Sequence, residues 1–220
     1  MKRFFTACAF LALVAGASQT YAAAITPVAT DLPGGTYTLD KAHASLIVRL
    51  NHLGFSHFTA RFTTFDVNLQ IDPKHPENAK MEATIDPTSI ASDNPPGGFL
   101  DELRGAQWLN AVSFPKIIYR ATKIVMTGPN TARITGDLSL HGVTQPLVLD
   151  ATFNGGYAGF AMDPHARIGF SAHGSFKRSL FGVAYGIPAP GTTMGVSDEV
   201  NVTIETEFTG PAWAGAQKAQ

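Results

Sequence analysis

Residues 58–71 read FTARFTTFDVNLQI, and their apolar side chains alternate with polar ones in two different phases. Apolar residues fall on even positions up to Phe62 and on odd positions from Phe65 onward. Alternation with a period of two is typical of a strand that is buried on one face only. A change of phase within such a strand indicates a bulge or a sharp bend. Because barrel strands need such bends to turn corners, this stretch favours a barrel.

The same alternation recurs along most of the chain. Apolar and polar residues alternate in segments 44–51, 58–71, 81–86, 117–120, 133–140, 147–153, 168–176 and 200–208. Short alternating segments separated by turn residues are typical of antiparallel sheets. A sandwich and a barrel both fit this pattern, but closure into a barrel leaves no exposed edge. We therefore predict an all-β fold, a single antiparallel barrel of about eight strands.

A single stretch has the spacing of a helix: residues 97–110, GGFLDELRGAQWLN. Its apolar residues Phe99, Leu103 and Trp108 recur at about the helical period, and prolines flank the stretch on both sides. We predict one helix near residues 97–110 and expect it to lie over one opening of the barrel.

The first 22 residues have the order of a secretory signal peptide, with two basic residues, an apolar run and small residues before a cleavage site. The apolar run is short for a membrane span, and no later segment approaches the required length, so we expect no integral membrane segment. Cys8, the only cysteine, lies within this segment, so the mature chain forms no disulfide. We predict export to the periplasm, removal of residues 1–22, a barrel domain over 35–209, and a flexible tail over 210–220.

Composition limits the classes of partner. Loss of residues 1–22 leaves 14 basic and 17 acidic residues, a formal charge of −3. A slightly acidic chain without a basic block is a poor candidate for binding nucleic acid or an anionic membrane surface. Apolar residues make up 45% of the chain and charged residues 15%, which is apolar-rich for an exported protein. The apolar surplus must be buried, either in a core or around an apolar ligand.

His141 stands between two alternating segments in GDLSLHGVTQPLVLD, residues 136–150. The residue type alone would suit a metal ligand, a general base or a turn. Leu140 to Val143 can form a two-residue hairpin, which requires positive φ at both central positions. Glycine adopts positive φ freely, and histidine is enriched among the other residues that do so. We therefore predict that His141 and Gly142 form a hairpin turn and that His141 has no catalytic role.

Two other arrangements could carry chemistry. Ser171 and His173 would share one strand face, but the second glycine of a G-x-S-x-G motif is absent. His52 and His57 could bind a metal together, but neither an H-E-x-x-H motif nor a cysteine pair accompanies them. A hydrolase-like enzyme using the first pair, or a metal-dependent enzyme using the second, is the alternative to a binding protein.

Six segments of the chain resemble, in order, the YceI-like family of exported polyisoprenoid-binding proteins, which have lipocalin-like barrels. The segments are YTLDKAHASLIVRLNHLGFSHFTARFTTFDVNLQID (37–72), ATIDPTSI (83–90), FPKIIYRAT (114–122), GDLSLHGVTQPLVLD (136–150), GFSAHGSFKRSLFGV (169–183) and VSDEVNVTIETEF (196–208). The chain departs from the family pattern where Glu102 replaces a usual histidine and where Pro95–Gly98 are inserted. If the predicted helix covers the opening of the barrel, this departure would alter the head-group preference relative to that of relatives.

The resemblance implies non-catalytic binding, transport or storage of an isoprenoid or similar long-chain amphiphile in an apolar barrel cavity. A quinone, a polyprenyl phosphate or a fatty acid derivative would fit as this ligand. We expect no cofactor. We expect the protein to be a monomer or a homodimer. The residues expected to contact this ligand are Leu46, Val48, Phe58, Phe62, Ile85, Phe99, Leu103, Trp108, Tyr119, Leu138, Leu149, Phe170 and Ile204. Arg61, Arg120 and Arg133 alternate with inward positions and should face water. A barrel packed solidly by its own side chains would show the same pattern.

Overall fold

The structure is a computed structural model that describes residues 32–212. The predicted signal peptide, residues 1–22, lies outside the described residues, as does the chain beyond Ala212. The strands are β1 (Gly35–Leu39), β2 (Ser45–His52), β3 (Ser56–Phe62), β4 (Phe65–Ile71), β5 (Lys80–Ile85), β6 (Ile90–Ala91), β7 (Ile117–Met126), β8 (Thr131–Leu140), β9 (Val143–Tyr157), β10 (His165–Lys177) and β11 (Glu199–Ala212). The described residues also include one α-helix, α1 (Phe99–Arg104), between β6 and β7. Short 3-10 turns lie at Lys41–His43, Pro76–Asn78, Pro87–Ser89 and Arg178–Phe181.

The strands form one antiparallel sheet that closes on itself. Around the barrel they follow the order β1-β4-β5-β7-β8-β9-β10-β11, and β11 pairs back with β1. Strands β2, β3 and β6 continue β1, β4 and β5 past brief interruptions. Counted this way, the barrel has eight strands, which confirms the predicted fold class. β11 runs three residues past residue 209, the predicted end of the domain.

The predicted bend lies between β3 and β4. β3 ends at Phe62 and β4 begins at Phe65, with Thr63 and Thr64 between them. Ser89 anchors the interruption, because its carbonyl accepts from the backbone N–H of Thr63 (3.2 Å) and its Oγ accepts from that of Thr64 (3.1 Å). Phe62 and Phe65 consequently both face the barrel interior, which confirms the change of phase.

A second change of phase lies in β7, beyond the stretch that the sequence pattern identifies. The alternating pattern ends at residue 120, whereas β7 continues to Met126. The pairing of β7 with β8 shifts by one residue at Thr122. Tyr119 faces the interior before this bulge and Ile124 faces it afterwards. The bulge therefore keeps the end of β7 on the barrel wall.

The hairpin predicted at His141 and Gly142 is confirmed. Both residues have positive φ, 53° and 78°, and the flanking residues Leu140 and Val143 pair directly. A Cβ on Gly142 would lie 2.5 Å from the ring of Phe114, so close packing as well as φ requires glycine here. The Nδ1 of His141 lies 3.1 Å from the carbonyl oxygen of Phe181. The histidine therefore joins the hairpin to a neighbouring segment.

Helix α1 is shorter than predicted. It covers Phe99–Arg104 instead of residues 97–110. Gly98 has a φ of 78°, in the left-handed region, so the helix cannot begin before Phe99. Gly105 is extended, with φ −71° and ψ 175°, and residues 106–113 follow mainly as turns. Two glycines thus bound a single short helix. In the described part of the chain, no helix is both long and apolar enough to span a bilayer.

Candidate binding cavity

The barrel is hollow and encloses a cavity of about 450 Å³. All eight barrel strands contribute to its wall, and nearly all lining side chains are aliphatic or aromatic. This volume falls within the range of roughly 300–1,000 Å³ that is usual for small-molecule sites. The barrel therefore has both the space and the lining for an apolar guest.

Small side chains at inward positions explain why the interior is not filled. The cavity wall includes five alanines, namely Ala83, Ala132, Ala151 and Ala172 on four different strands and Ala79 just before β5. Each stands where the alternating pattern, or its continuation, places a side chain inside the barrel. An alanine leaves space that a leucine or phenylalanine would occupy, and protein interiors otherwise pack densely. The alternation of hydrophobicity does not show this effect, because alanine counts as apolar in it.

Nine of the thirteen residues predicted to contact a ligand lie on the cavity wall. These nine are Leu46, Val48, Phe62, Ile85, Tyr119, Leu138, Leu149, Phe170 and Ile204. Their contact with a ligand stays a prediction. The arginines predicted to face water do so: Arg120 pairs with Glu82 (2.6 Å) and Arg133 with Asp150 (3.1 Å) on the outer surface. Arg61 is also exposed.

The other four predicted residues pack behind the wall rather than on it. Phe58, Phe99, Leu103 and Trp108 contact or belong to the surrounding hydrophobic core. Phe99 meets Phe58 edge-on, with ring centroids 5.5 Å apart. The residue after Trp108, Leu109, lines the cavity instead. The segment containing α1 therefore closes the barrel mainly through the turn that follows the helix.

The few polar groups on the wall are largely bonded to the protein itself. The hydroxyl of Tyr119 lies 3.1 Å from the Ile134 carbonyl oxygen and 3.3 Å from that of Leu147. Burial raises the pKa of Tyr119, so this phenol is neutral at physiological pH. The hydroxyl of Thr206 donates to the Phe170 carbonyl (3.3 Å). These groups present little polarity to a guest in the cavity.

Two basic residues mark opposite ends of the cavity. Lys74 lies in the loop between β4 and β5, and Asn130 lies at the same end of the barrel, in the hairpin between β7 and β8. We call this end the Lys74 end. The side-chain oxygen of Asn130 is buried and has no hydrogen-bond partner among the described residues. Arg178 lies where β10 ends, beside Val183, and we call this the Arg178 end.

Arg178 holds a long connecting segment across its end of the barrel. The side chain is only 3% exposed, and its guanidinium donates to four backbone carbonyls at 2.8–2.9 Å. The acceptors are Val183, Tyr185, Val196 and Ser197. The guanidinium carbon also lies 4.9 Å from the ring centroid of Trp108, a cation–π distance. Burial lowers the pKa of Arg178, and the nearby carboxylate of Asp198 opposes that shift.

Neither alternative catalytic arrangement is assembled as the sequence suggested. Ser171 donates to Glu205 (2.5 Å) and accepts from Asn154 (2.8 Å), so its hydrogen bonds do not involve His173. None of these polar residues lies on the cavity wall. The serine pairs with an acidic residue from β11, a partner distant in sequence that local spacing could not reveal.

The proposed metal pair is also not part of a larger ligand set. His52 and His57 are both exposed, at the adjoining ends of β2 and β3. Within residues 32–212, the only group of three potential ligands is Asp40, His43 and Glu207. Arg167 already pairs with Asp40 at 3.1 Å. The guanidinium therefore competes for the carboxylate that a cation would need.

Comparison with known proteins points to one group. The sequence profile described as the YceI-like domain matches residues 37–208. A UPF0312 protein of Pseudomonas putida is 31% identical over 209 residues, which cover 93% of this chain and 97% of that relative. The crystal structure of a Campylobacter jejuni YceI protein superposes with a TM-score of 0.62 at 27% identity, covering 73% of this chain and 90% of the other.

A second solved structure shares the fold at lower sequence identity. It is described as a polyisoprenoid binding domain from Saccharophagus degradans and superposes with a TM-score of 0.59. The alignment covers 80% of this chain and 98% of that domain at 14% identity. At this level of identity, the likeness shows the fold alone.

Proposed function

The chain belongs to the YceI-like family, and from this membership and the hollow barrel we propose that it binds an isoprenoid or a similar long-chain amphiphile. The observation that carries the proposal is the apolar cavity of about 450 Å³ inside a closed barrel. Quinones, polyprenyl phosphates and fatty acid derivatives all have the apolar chain that such a cavity would accept.

The energetics favour a chain-shaped apolar guest. Each buried CH₂ group contributes roughly 0.8 kcal/mol, so a tail of many carbons gains affinity without a strong polar anchor. Water gains little in the same space, because nearly all lining groups offer it no hydrogen bond. An apolar guest would therefore supply the packing contacts that the alanines of the wall leave unmade.

We propose that the protein acts as a periplasmic carrier or store, by binding alone. The sequence order of residues 1–22 supports export. Ser171, His173, His52 and His57 lie off the cavity wall, which supports a role without chemistry on the guest. The polyisoprenoid-binding description of the Saccharophagus degradans domain supports the proposed class of ligand.

Native mass spectrometry of protein purified without detergent tests the proposal. Wild type should carry an additional mass that extracts into organic solvent, or should take up added quinone or polyprenyl phosphate after delipidation. Ala151→Phe should lose this uptake, because the new ring would occupy the cavity. Thr152→Phe, at the next residue and exposed on the outer face, is the matched control and should load normally. A clean ligand-free mass with no uptake would contradict the proposal.

A further inference from the structure

The Arg178 end of the barrel exposes a long stretch without a single charged side chain. Residues 179–197, SLFGVAYGIPAPGTTMGVS, contain no Asp, Glu, Lys, Arg or His. The tip of the hairpin between β2 and β3, Leu53–Ser56, is likewise uncharged. We call these two segments together the charge-free end. The outer wall of the barrel, by contrast, carries ion pairs such as Arg120–Glu82.

The two segments form one continuous surface. The backbone N–H of Leu53 donates to the carbonyl of Gly195 (2.9 Å). A Cβ on Gly54 would lie 3.3 Å from the Cβ of Thr193, so the hairpin tip packs directly on the longer segment. The next residues along each segment, Phe55 and Met194, therefore project from neighbouring positions.

Large apolar side chains project from this surface into solvent. Phe55 is 84% exposed and Met194 is 75% exposed, and Leu180 and Tyr185 are each about half exposed. Grouped apolar exposure of this kind marks an interaction surface. Tyrosine and phenylalanine on glycine- and proline-rich loops suit the boundary between lipid headgroups and acyl chains.

The charge-free end also covers the cavity. Phe181 is buried in the core, and Val183 lines the cavity from the inside. The same segment exposes Leu180 and Tyr185 on its outer side. Whatever contacts this end is therefore separated from the cavity by one layer of the chain.

We propose that the charge-free end docks onto a zwitterionic lipid bilayer, with Phe55 and Met194 inserted among the headgroups. This inference rests on the proposed function, since an isoprenoid guest dissolves in the bilayer. The absence of any cationic side chain in the surface fits a zwitterionic rather than an anionic membrane. A second copy of the chain would need to bury about 800 Å² on each partner. Phe55 and Met194 project as individual side chains, which insert between lipids more readily than they pack against a flat protein face.

Sedimentation with vesicles of pure phosphatidylcholine, free of isoprenoid, tests the docking. Wild type should bind them, and added salt should leave the binding unchanged. Phe55→Asp and Met194→Asp should each weaken the partition coefficient by about tenfold or more, because each removes an inserted apolar side chain. Met162→Asp is the matched control. Met162 is 86% exposed in the loop between β9 and β10, at the opposite end of the barrel. This substitution should leave the partition coefficient unchanged.

Four results would overturn the docking proposal. The first is that wild type does not bind phosphatidylcholine vesicles, and the second is that it binds only vesicles containing phosphatidylglycerol and is released by salt. The third is that Met162→Asp weakens binding as much as the other two variants do. The fourth is that the protein forms a dimer in solution that Met194→Asp dissociates. Loading with isoprenoid added from ethanol, read by native mass, separates this inference from the proposed function. Loading without vesicle binding contradicts the docking alone, whereas vesicle binding without loading contradicts the proposed function alone.

Discussion

His141 shows how a single residue can serve backbone conformation and packing together. Its φ of 53° fits the two-residue hairpin. Because a carbonyl oxygen only accepts, the 3.1 Å contact with Phe181 requires the proton to be on Nδ1. The ring also packs against Phe114, with centroids 5.0 Å apart. The residue types in the turn were enough to predict the backbone, but the contact with Phe181 spans 40 residues and has no local signal.

Substitution at His141 should separate these two roles. His141→Asn keeps a residue that accepts positive φ, so we expect the variant to fold and to load ligand normally. Because it loses the bond to Phe181, it should lose about 1 kcal/mol of unfolding free energy. His141→Val places a β-branched residue at positive φ and should lose about 2–3 kcal/mol. Urea unfolding and native mass spectrometry measure both. A folded asparagine variant that fails to load would contradict the purely structural role.

Tyr37 gives a prediction for alkaline pH. Its side chain is fully buried, its hydroxyl donates to the Pro33 carbonyl (2.7 Å), and burial raises its pKa to about 12. Because this value exceeds the pKa of about 10 in an unfolded chain, the neutral phenol stabilises the fold fully below about pH 10. That contribution, about 2 kcal/mol, should be lost as pH rises towards about 12.

Tyr37→Phe isolates the effect, since phenylalanine cannot ionise. Below about pH 10, the variant should be less stable than wild type by a constant amount, about 1 kcal/mol, because it lacks the bond to Pro33. Above that pH, wild type should lose stability faster than the variant, so the two unfolding free energies converge and then cross before about pH 12. Urea unfolding across this range measures both curves. Parallel curves at every pH would contradict the prediction.

At the scale of elements, the strands and the position of the helix were predictable, but the length of the helix was not. Alternation located a segment of each of the eight barrel strands because one face of each is buried, and the two phases of residues 58–71 located the bend between β3 and β4. Alternation did not locate β1, which precedes the first alternating segment. The bulge at Thr122 was missed, because the alternating pattern was followed only to residue 120. The helix was predicted too long because turns after Gly105 place Trp108 and Leu109 at helix-like intervals.

Arg178 should control the segment that covers its end of the barrel. Arg178→Met would leave four backbone carbonyls without their donor, and an unsatisfied buried carbonyl costs about 1–3 kcal/mol. Since water can reach some of them, we expect a total loss of about 2–4 kcal/mol and faster amide hydrogen exchange in residues 183–197. Arg120→Met, at an exposed ion pair with Glu82, should cost less than about 1 kcal/mol. Equal losses in the two variants would show that Arg178 does not hold the segment.

At the scale of the whole molecule, the sequence predicted a barrel but not whether the barrel was hollow. Nine inward residues were identified correctly as facing the interior, and these same residues could have filled it. The signal that distinguishes the two cases is the size of the remaining inward residues, above all the alanines at Ala83, Ala132, Ala151 and Ala172. Judging their combined effect requires the register of neighbouring strands, which a single sequence does not supply.

A hollow barrel should gain stability from whatever fills it. An isoprenoid at a free concentration of about 100 times its Kd would add about 2.7 kcal/mol to the unfolding free energy, a rise of about 5–10 °C in Tm. Phe62→Trp enlarges a side chain on the cavity wall, so its ligand-free Tm should hold or rise while the increment from ligand disappears. Thr59→Trp, exposed on the same strand, should keep that increment. If Phe62→Trp instead loses about 1–3 kcal/mol, the cost of overpacking, and still loads ligand, then the cavity near Phe62 is not where the guest lies.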